Sequence, residues 1–391
     1  MRAWERFLDP PRLRTLDTEE GRRATWLELF FDLVFVVAVA ELGNNLSADA
    51  TLGGLLEFLA LFVPVWWAWS GFTFYANRFD TDDLLYRLLV LLAMFAVAAL
   101  ATTVPDAFAG GSAAFALAYV CVRLVLLVLY LRAIRYVEAA RSLATLFLAA
   151  FSLAVLVWVG SLALPEPERY WIWGAALAIE LTAPVFGWRL VPQAPVDPRH
   201  LPERFGLFTI IVLGESVFAV VIGVAGVSWG GVPALAAAGG FLVAACIWWL
   251  YFGFLDSAAA MGGGIVRGLV LTYSHYFVFA GIAALGIGVK LTIFSAAGRE
   301  QYDDTAWVLC VGLALCMTAL AAIHLVTPPA LLDADVWLRL GTAAAALALV
   351  PASFALPVLL VVWLLAAALV AQVVLELAQH ERHAAVPELD L

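Results

Sequence analysis

Apolar runs of about 20 residues, joined by short polar stretches, follow one another along almost the whole chain. A helix of about 20 mostly apolar residues spans the hydrocarbon of a bilayer. The pattern predicts twelve such helices, over 26–46, 54–77, 84–104, 113–133, 142–164, 170–190, 205–226, 233–256, 265–289, 305–327, 335–351 and 355–379. Pro351 and Pro357 crowd the last join, and merging those two runs gives eleven spans instead. The polar ends frame this region as a cytoplasmic arm over 1–24 and a cytoplasmic tail over 381–391. The arm is expected to be solvated, or else amphipathic on the membrane surface. It has no apolar core ahead of Ala24, so no cleavable signal peptide is expected.

The pattern also repeats. "VWWAWSGF" (65–72) returns as "IWWLYFGF" (247–254), and "YRLLVL" (86–91) as "VRGLVL" (266–271). Glu28 and Glu203 open "ELFFDLVFVVAVAEL" and "ERFGLFTIIVLGESV". The Pro-rich stretch "PQAPVDPRHLP" lies between. The expected fold is therefore all-α: a polytopic membrane protein with 12 transmembrane helices in two six-helix halves, 25–191 and 205–380, joined by a cytoplasmic linker over 192–204. An even number of spans per half makes the two halves parallel, as in one class of transporters.

Composition fits this reading. Of 391 residues, 64% are hydrophobic and 13% charged, where soluble domains have roughly 45–50% and 25%. Mean hydropathy is +0.97. The net charge of −10 gives no basic footprint for nucleic acid. Cys121, Cys246, Cys310 and Cys316 all lie in apolar runs without metal-ligand spacing, so neither zinc nor a disulfide is expected. No phosphate loop or catalytic triad is apparent. No enzyme activity and no cofactor is expected.

Of the 21 basic residues, seventeen fall on the side of the N-terminus and three on the other, with Arg123 inside a span. Arg and Lys collect on the cytoplasmic side. The expected location is the inner membrane, multi-pass, with both termini cytoplasmic.

An ionisable residue within a span is a site candidate by default. Glu215 stands near mid-membrane in "IIVLGESVFAVVIG". Arg204 precedes it by 11 residues, which places both on one stripe of a helix. Glu28 and Asp32, spaced i, i+4, share a face near the inner end of the first span. Together they form a cation or proton site at an inner mouth, or are held by Arg22, Arg23 or Arg204. His275, deep in the ninth span, is either a neutral hydrogen-bonded side chain or a proton relay. Arg123 is the one basic residue deep in the hydrocarbon, and Glu180 is its first-choice partner, ahead of Glu215 and Asp32. In "NRFDTDD", Asp80 or Thr81 is expected to cap the third helix, with Arg78 and Arg87 pairing to the acids.

"LELFFDLVFVVAVAEL", "FYANRFDTDDLLYR", "HLPERFGLFTIIVLGES" and "YSHYFVFAGIAALGIGV" resemble the bacterial low-temperature-requirement protein A family over most of the chain. That resemblance implies a membrane location, this fold and a link to growth in the cold, without a substrate or reaction. The first helix is also similar in pattern to the opening helix of the six-helix-repeat potassium channels of lysosomes and bacteria. Those carry Phe-Ser-Asp ahead of a pore-lining stretch. Here Phe30, Phe31 and Asp32 stand at the motif, the basic residue expected near Trp26 is missing or displaced to Arg22 or Arg23, and Leu207 stands near the Asp position of the second half.

These readings converge on a transporter or channel for a small solute, ion or proton. The candidate pathway residues are Glu28, Asp32, Arg204, Glu215 and His275, with Arg123 and Glu180 as an intramembrane charge pair. The partners are the bilayer and a small solute or ion. The alternative is a membrane sensor, or an assembly or accessory factor, in cold adaptation.

Overall fold

The structure is a computed structural model that describes residues 9–13, 24–197, 200–228, 230–259, 264–326 and 333–384. It is all-α apart from one two-stranded pairing. Ten of its helices are long and apolar enough to cross a membrane. The chain divides into two compact units, residues 1–45 with 56–208, and 46–55 with 209–391.

The first unit is built from α1 (Trp26–Ala48), α2 (Leu52–Arg78), α3 (Leu84–Thr103), α4 (Ser112–Tyr136), α5 (Arg141–Ser161), α6 (Glu168–Phe186) and the start of α7 (His200–Ala225). α3, α4, α5 and α6 pack as consecutive neighbours, as short joins require. α1 and α6 stand outside the ten candidate spans. Each carries three ionisable residues: Glu28, Asp32 and Glu41 on α1, and Glu168, Arg169 and Glu180 on α6.

α1 starts where the sequence offers a capping box. Thr25 N–H donates to Glu28 Oε2 at 2.7 Å, and Glu28 N–H donates to Thr25 Oγ1 at 3.2 Å. α3 is capped by Asp83, which accepts from Tyr86 N at 3.2 Å and pairs with Arg132 at 2.9 Å. The expectation of Asp80 or Thr81 as the cap is corrected: the helix begins at Leu84, so the residue directly before it takes the role. Arg87 pairs with Asp82 at 2.8 Å. Arg78 instead donates to the Ala194 carbonyl, at 3.2 Å.

The N-terminal arm is not wholly solvated. β1 (Arg12–Leu13) pairs antiparallel with β2 (Phe79–Asp80), Arg12 opposite Asp80 and Leu13 opposite Phe79. α7 begins at His200, within the stretch 192–204 and ahead of the apolar run.

The second unit continues through the rest of α7, then α8 (Gly231–Ala259), α9 (Ile265–Ala296), α10 (Trp307–Leu325), α11 (Ala334–Ser353) and α12 (Val358–Ala384). α11 and α12 are separate helices, parted at 354–357 just after Pro351. α9 runs beyond the expected end at 289, so Lys290 lies within it.

α9 and α10 touch backbone to backbone. A Cβ at Gly281 would stand 2.8 Å from Gly312 O and from Cys316 N, and one at Gly312 would stand 2.9 Å from Leu285 N. Small residues permit such approach between helices in lipid. Gly281→Val is therefore expected to lower stability by about 1–3 kcal/mol. Its unfolding temperature in detergent should fall below wild type, and an unchanged value would contradict the packing.

Candidate functional site

In the first unit, α1 brings two carboxylates to one face, and the opening turn of α7 brings a guanidinium and an imidazole to them. Arg204 Nη2 lies 2.5 Å from Asp32 Oδ1, and Nη1 lies 3.3 Å from Glu28 Oε1. His200 Nε2 stands 3.7 Å from Glu28 Oε2. From α2, Trp69 Nε1–H donates to Asp32 Oδ1 at 2.7 Å, and its indole stacks on Phe208. Asp32 is fully buried, and Arg204, His200 and Glu28 are nearly so. Asp32 Oδ2 has no hydrogen-bond partner among the described residues.

Asn77 sets the state of His200. Its Oδ1 accepts from Asp197 N at 2.7 Å, which leaves its Nδ2 as the donor facing His200 Nδ1 at 3.3 Å. His200 Nδ1 must then accept, so the ring hydrogen sits on Nε2, toward Glu28.

The second cluster in this unit is Arg123 on α4 with Glu180 on α6. Nη2 lies 2.9 Å from Oε2, and both side chains are fully buried. Tyr119 Oη donates to Glu180 Oε2 at 2.7 Å, and the guanidinium lies 4.5 Å over the Phe151 ring. Gly71 on α2 makes room, since a Cβ there would stand 2.9 Å from Arg123 Nη1. One positive charge meets one negative charge, so this pair is balanced.

Glu215 and His275 lie in the second unit. Glu215 is half-buried on α7 and within electrostatic reach of Lys290 on α9. Arg204, on the same stripe of α7, is engaged by Asp32 and Glu28 in the first unit. His275 is fully buried. Its Nδ1 faces Leu271 O at 2.6 Å, and its Nε2 faces Tyr251 Oη at 2.8 Å. A carbonyl only accepts, so Nδ1 carries the hydrogen and Nε2 accepts from the tyrosine. That is a neutral, hydrogen-bonded histidine. Beside Ser216 lies a cavity of about 10 Å³, lined by groups such as Leu213, Val243, Ile282 and Gly286. It is too small and apolar to hold a solute. A larger recess of about 660 Å³ lies at the α7–α8 turn, with Arg299 at its edge.

Sequence reasoning passed over one buried network. Arg339 on α11 reaches Glu376 on α12 at 3.3 Å, Gln372 Nε2–H donates to Glu376 at 2.8 Å, and Thr342 donates to Gln372 at 2.6 Å. Arg339 Nη1 also donates to His324 Nδ1 at 3.2 Å, and His324 Nε2 then donates to Asp333 at 2.8 Å. The spacing of Arg339 with Thr342, and of Gln372 with Glu376, puts each pair on one helix face. That signal was in the sequence. His200, Asn77 and Trp69 were also passed over, and carried no comparable local signal. Arg22 and Arg23 lie outside the described residues.

The sequence model for the bacterial low temperature requirement A proteins matches residues 23–374. The chain is also 29% identical over 303 residues to an uncharacterized protein of Rhizobium meliloti (strain 1021), an alignment covering 74% of this chain and 71% of that one.

Proposed function

Because the chain belongs to the bacterial low temperature requirement A family, we propose that it is a transporter or channel whose path for a proton, small ion or small solute includes Asp32, Glu28 and Arg204. One observation carries this reading. Asp32 is fully buried in an apolar helix, shares its guanidinium with a second carboxylate, and keeps one oxygen bare among the described residues. A buried carboxylate is costly unless paired or used. Two carboxylates on one guanidinium are only partly paired, and what remains is available to a moving charge.

The topology belongs to the same reading: twelve spans in two parallel halves, in the inner membrane, with both termini cytoplasmic. The distribution of Arg supports it. So does the repeat, in one respect. Trp69 and Tyr251 occupy the same place in the two motifs, and each contacts a buried ionisable group, Asp32 and His275. In another respect the motifs differ: Trp66 and Trp67 are buried, whereas Trp248 and Trp249 are 47% exposed.

A second reading, as a membrane sensor or an assembly factor in cold adaptation, is favoured by the tight pairing of Arg123 with Glu180 and of Arg339 with Glu376. Such pairing holds a core closed. Flux into proteoliposomes separates the two. The transport reading expects wild type to carry protons, alkali cations or a small organic ion. Glu215→Gln is the second arm: reduced flux puts Glu215 on the path, and unchanged flux removes it. Wild-type vesicles as tight as empty ones to all three classes would leave the second reading.

A further inference from the structure

We infer that Asp32 carries an exchangeable proton on Oδ2, so that the charge exchanged at this site is a proton rather than a metal cation. The inference rests on reading the Asp32 cluster as the transport site, and names its ion.

Among the described residues, the ionisable side chains around Asp32 are Glu28 on its own helix, Arg204 and His200 on α7, and Tyr86 on α3, which acts on Arg204. Tyr86 is neutral at ordinary pH. Asn77 turns its amide N–H₂ to His200 Nδ1, so that nitrogen accepts and the ring hydrogen sits on Nε2. Among the described residues, two carboxylates then face one guanidinium, and the cluster there is one positive charge short. Nearby like charges resist joint ionisation, and one carboxyl takes up a proton instead.

Geometry then chooses the occupant and the atom. The groups touching Asp32 are the Arg204 guanidinium and the Trp69 indole N–H, both donors. Hard metal cations need several oxygen ligands, and a guanidinium 2.5 Å away repels them. A proton needs neither room nor ligands. Both donors converge on Oδ1, which leaves Oδ2 as the oxygen to be protonated. Glu28 is the poorer host. It accepts from Thr25 N and Thr25 Oγ1, and is the less buried of the two.

The test is infrared difference spectroscopy of the full chain in liposomes, across a pH step. A protonated carboxyl shows a carbonyl stretch that a carboxylate lacks, and that stretch shifts in D₂O. Wild type is expected to show it, and isotopic labelling of aspartate, but not of glutamate, should move it. Asp32→Asn should abolish it. Glu28→Gln should abolish it too, because one carboxylate then balances Arg204. Absence of the band in wild type, its survival in Asp32→Asn, or a shift with labelled glutamate alone would overturn the assignment. The band without flux in proteoliposomes would keep the proton site and remove the transport reading. Alkali-cation flux without the band would do the reverse.

Discussion

Replacing Arg204 by Met is expected to be among the most damaging single changes in the chain. The substitution keeps the apolar stem and removes the charge that holds both Asp32 and Glu28. Removing one partner of a buried ion pair costs about 3–5 kcal/mol, and here two acidic side chains lose the same donor at once. Total stabilities of ordinary domains are about 5–15 kcal/mol, so little folded protein should accumulate. Adding Asp32→Asn to Arg204→Met should recover part of the loss, because the remaining carboxylate, Glu28, keeps its bonds to Thr25. The measurement is the yield of monodisperse protein in detergent and its unfolding temperature. An Arg204→Met protein as stable as wild type would mean that the cluster contributes nothing to the fold.

The second large effect concerns Arg123 and Glu180. Either Arg123→Met or Glu180→Gln leaves an isolated charge or a half-used partner in a site with no exposure. Each is expected to cost about 3–5 kcal/mol. The double variant should unfold at a higher temperature than either single one, since no charge then remains to be solvated. Neighbours in direct contact couple by about 0.5–3 kcal/mol. Additive losses would contradict a direct pair. The two clusters therefore differ in kind. The balanced pair on α4 and α6 acts as a brace, whereas in the α1–α7 cluster the described residues place two carboxyl groups on one guanidinium.

Much of the fold was legible in the chain because lipid enforces it. Backbone groups in hydrocarbon must be satisfied within a helix, so each long apolar run becomes one. The expected runs and the observed helices differ chiefly at their ends, where caps rather than apolar residues decide. Asp83 and the Thr25–Glu28 box are examples. Arg123 and Glu180 could be matched because few ionisable residues lie as deep, which leaves a short list of partners. The neighbours of Asp32 were harder. Trp69 is 37 residues away along the chain and Arg204 is 172, and neither distance follows from helix periodicity. Helical spacing aligned Arg204 with Glu215, yet Arg204 turned to α1. A stripe says which residues share a face, not what stands opposite. Asn77 was the least visible, because an amide that fixes a histidine tautomer has no signature in a sequence.

Asp32 is the residue on which a working path would turn. The direct measurement is proton flux in proteoliposomes driven by a pH gradient, wild type against Asp32→Asn, with both proteins shown to be folded. Wild type should dissipate the gradient faster than empty vesicles, and Asp32→Asn should lower that rate at least about tenfold, the change that about 1.4 kcal/mol on a barrier produces. Equal rates for the two proteins, or a wild type no leakier than empty vesicles, would contradict it.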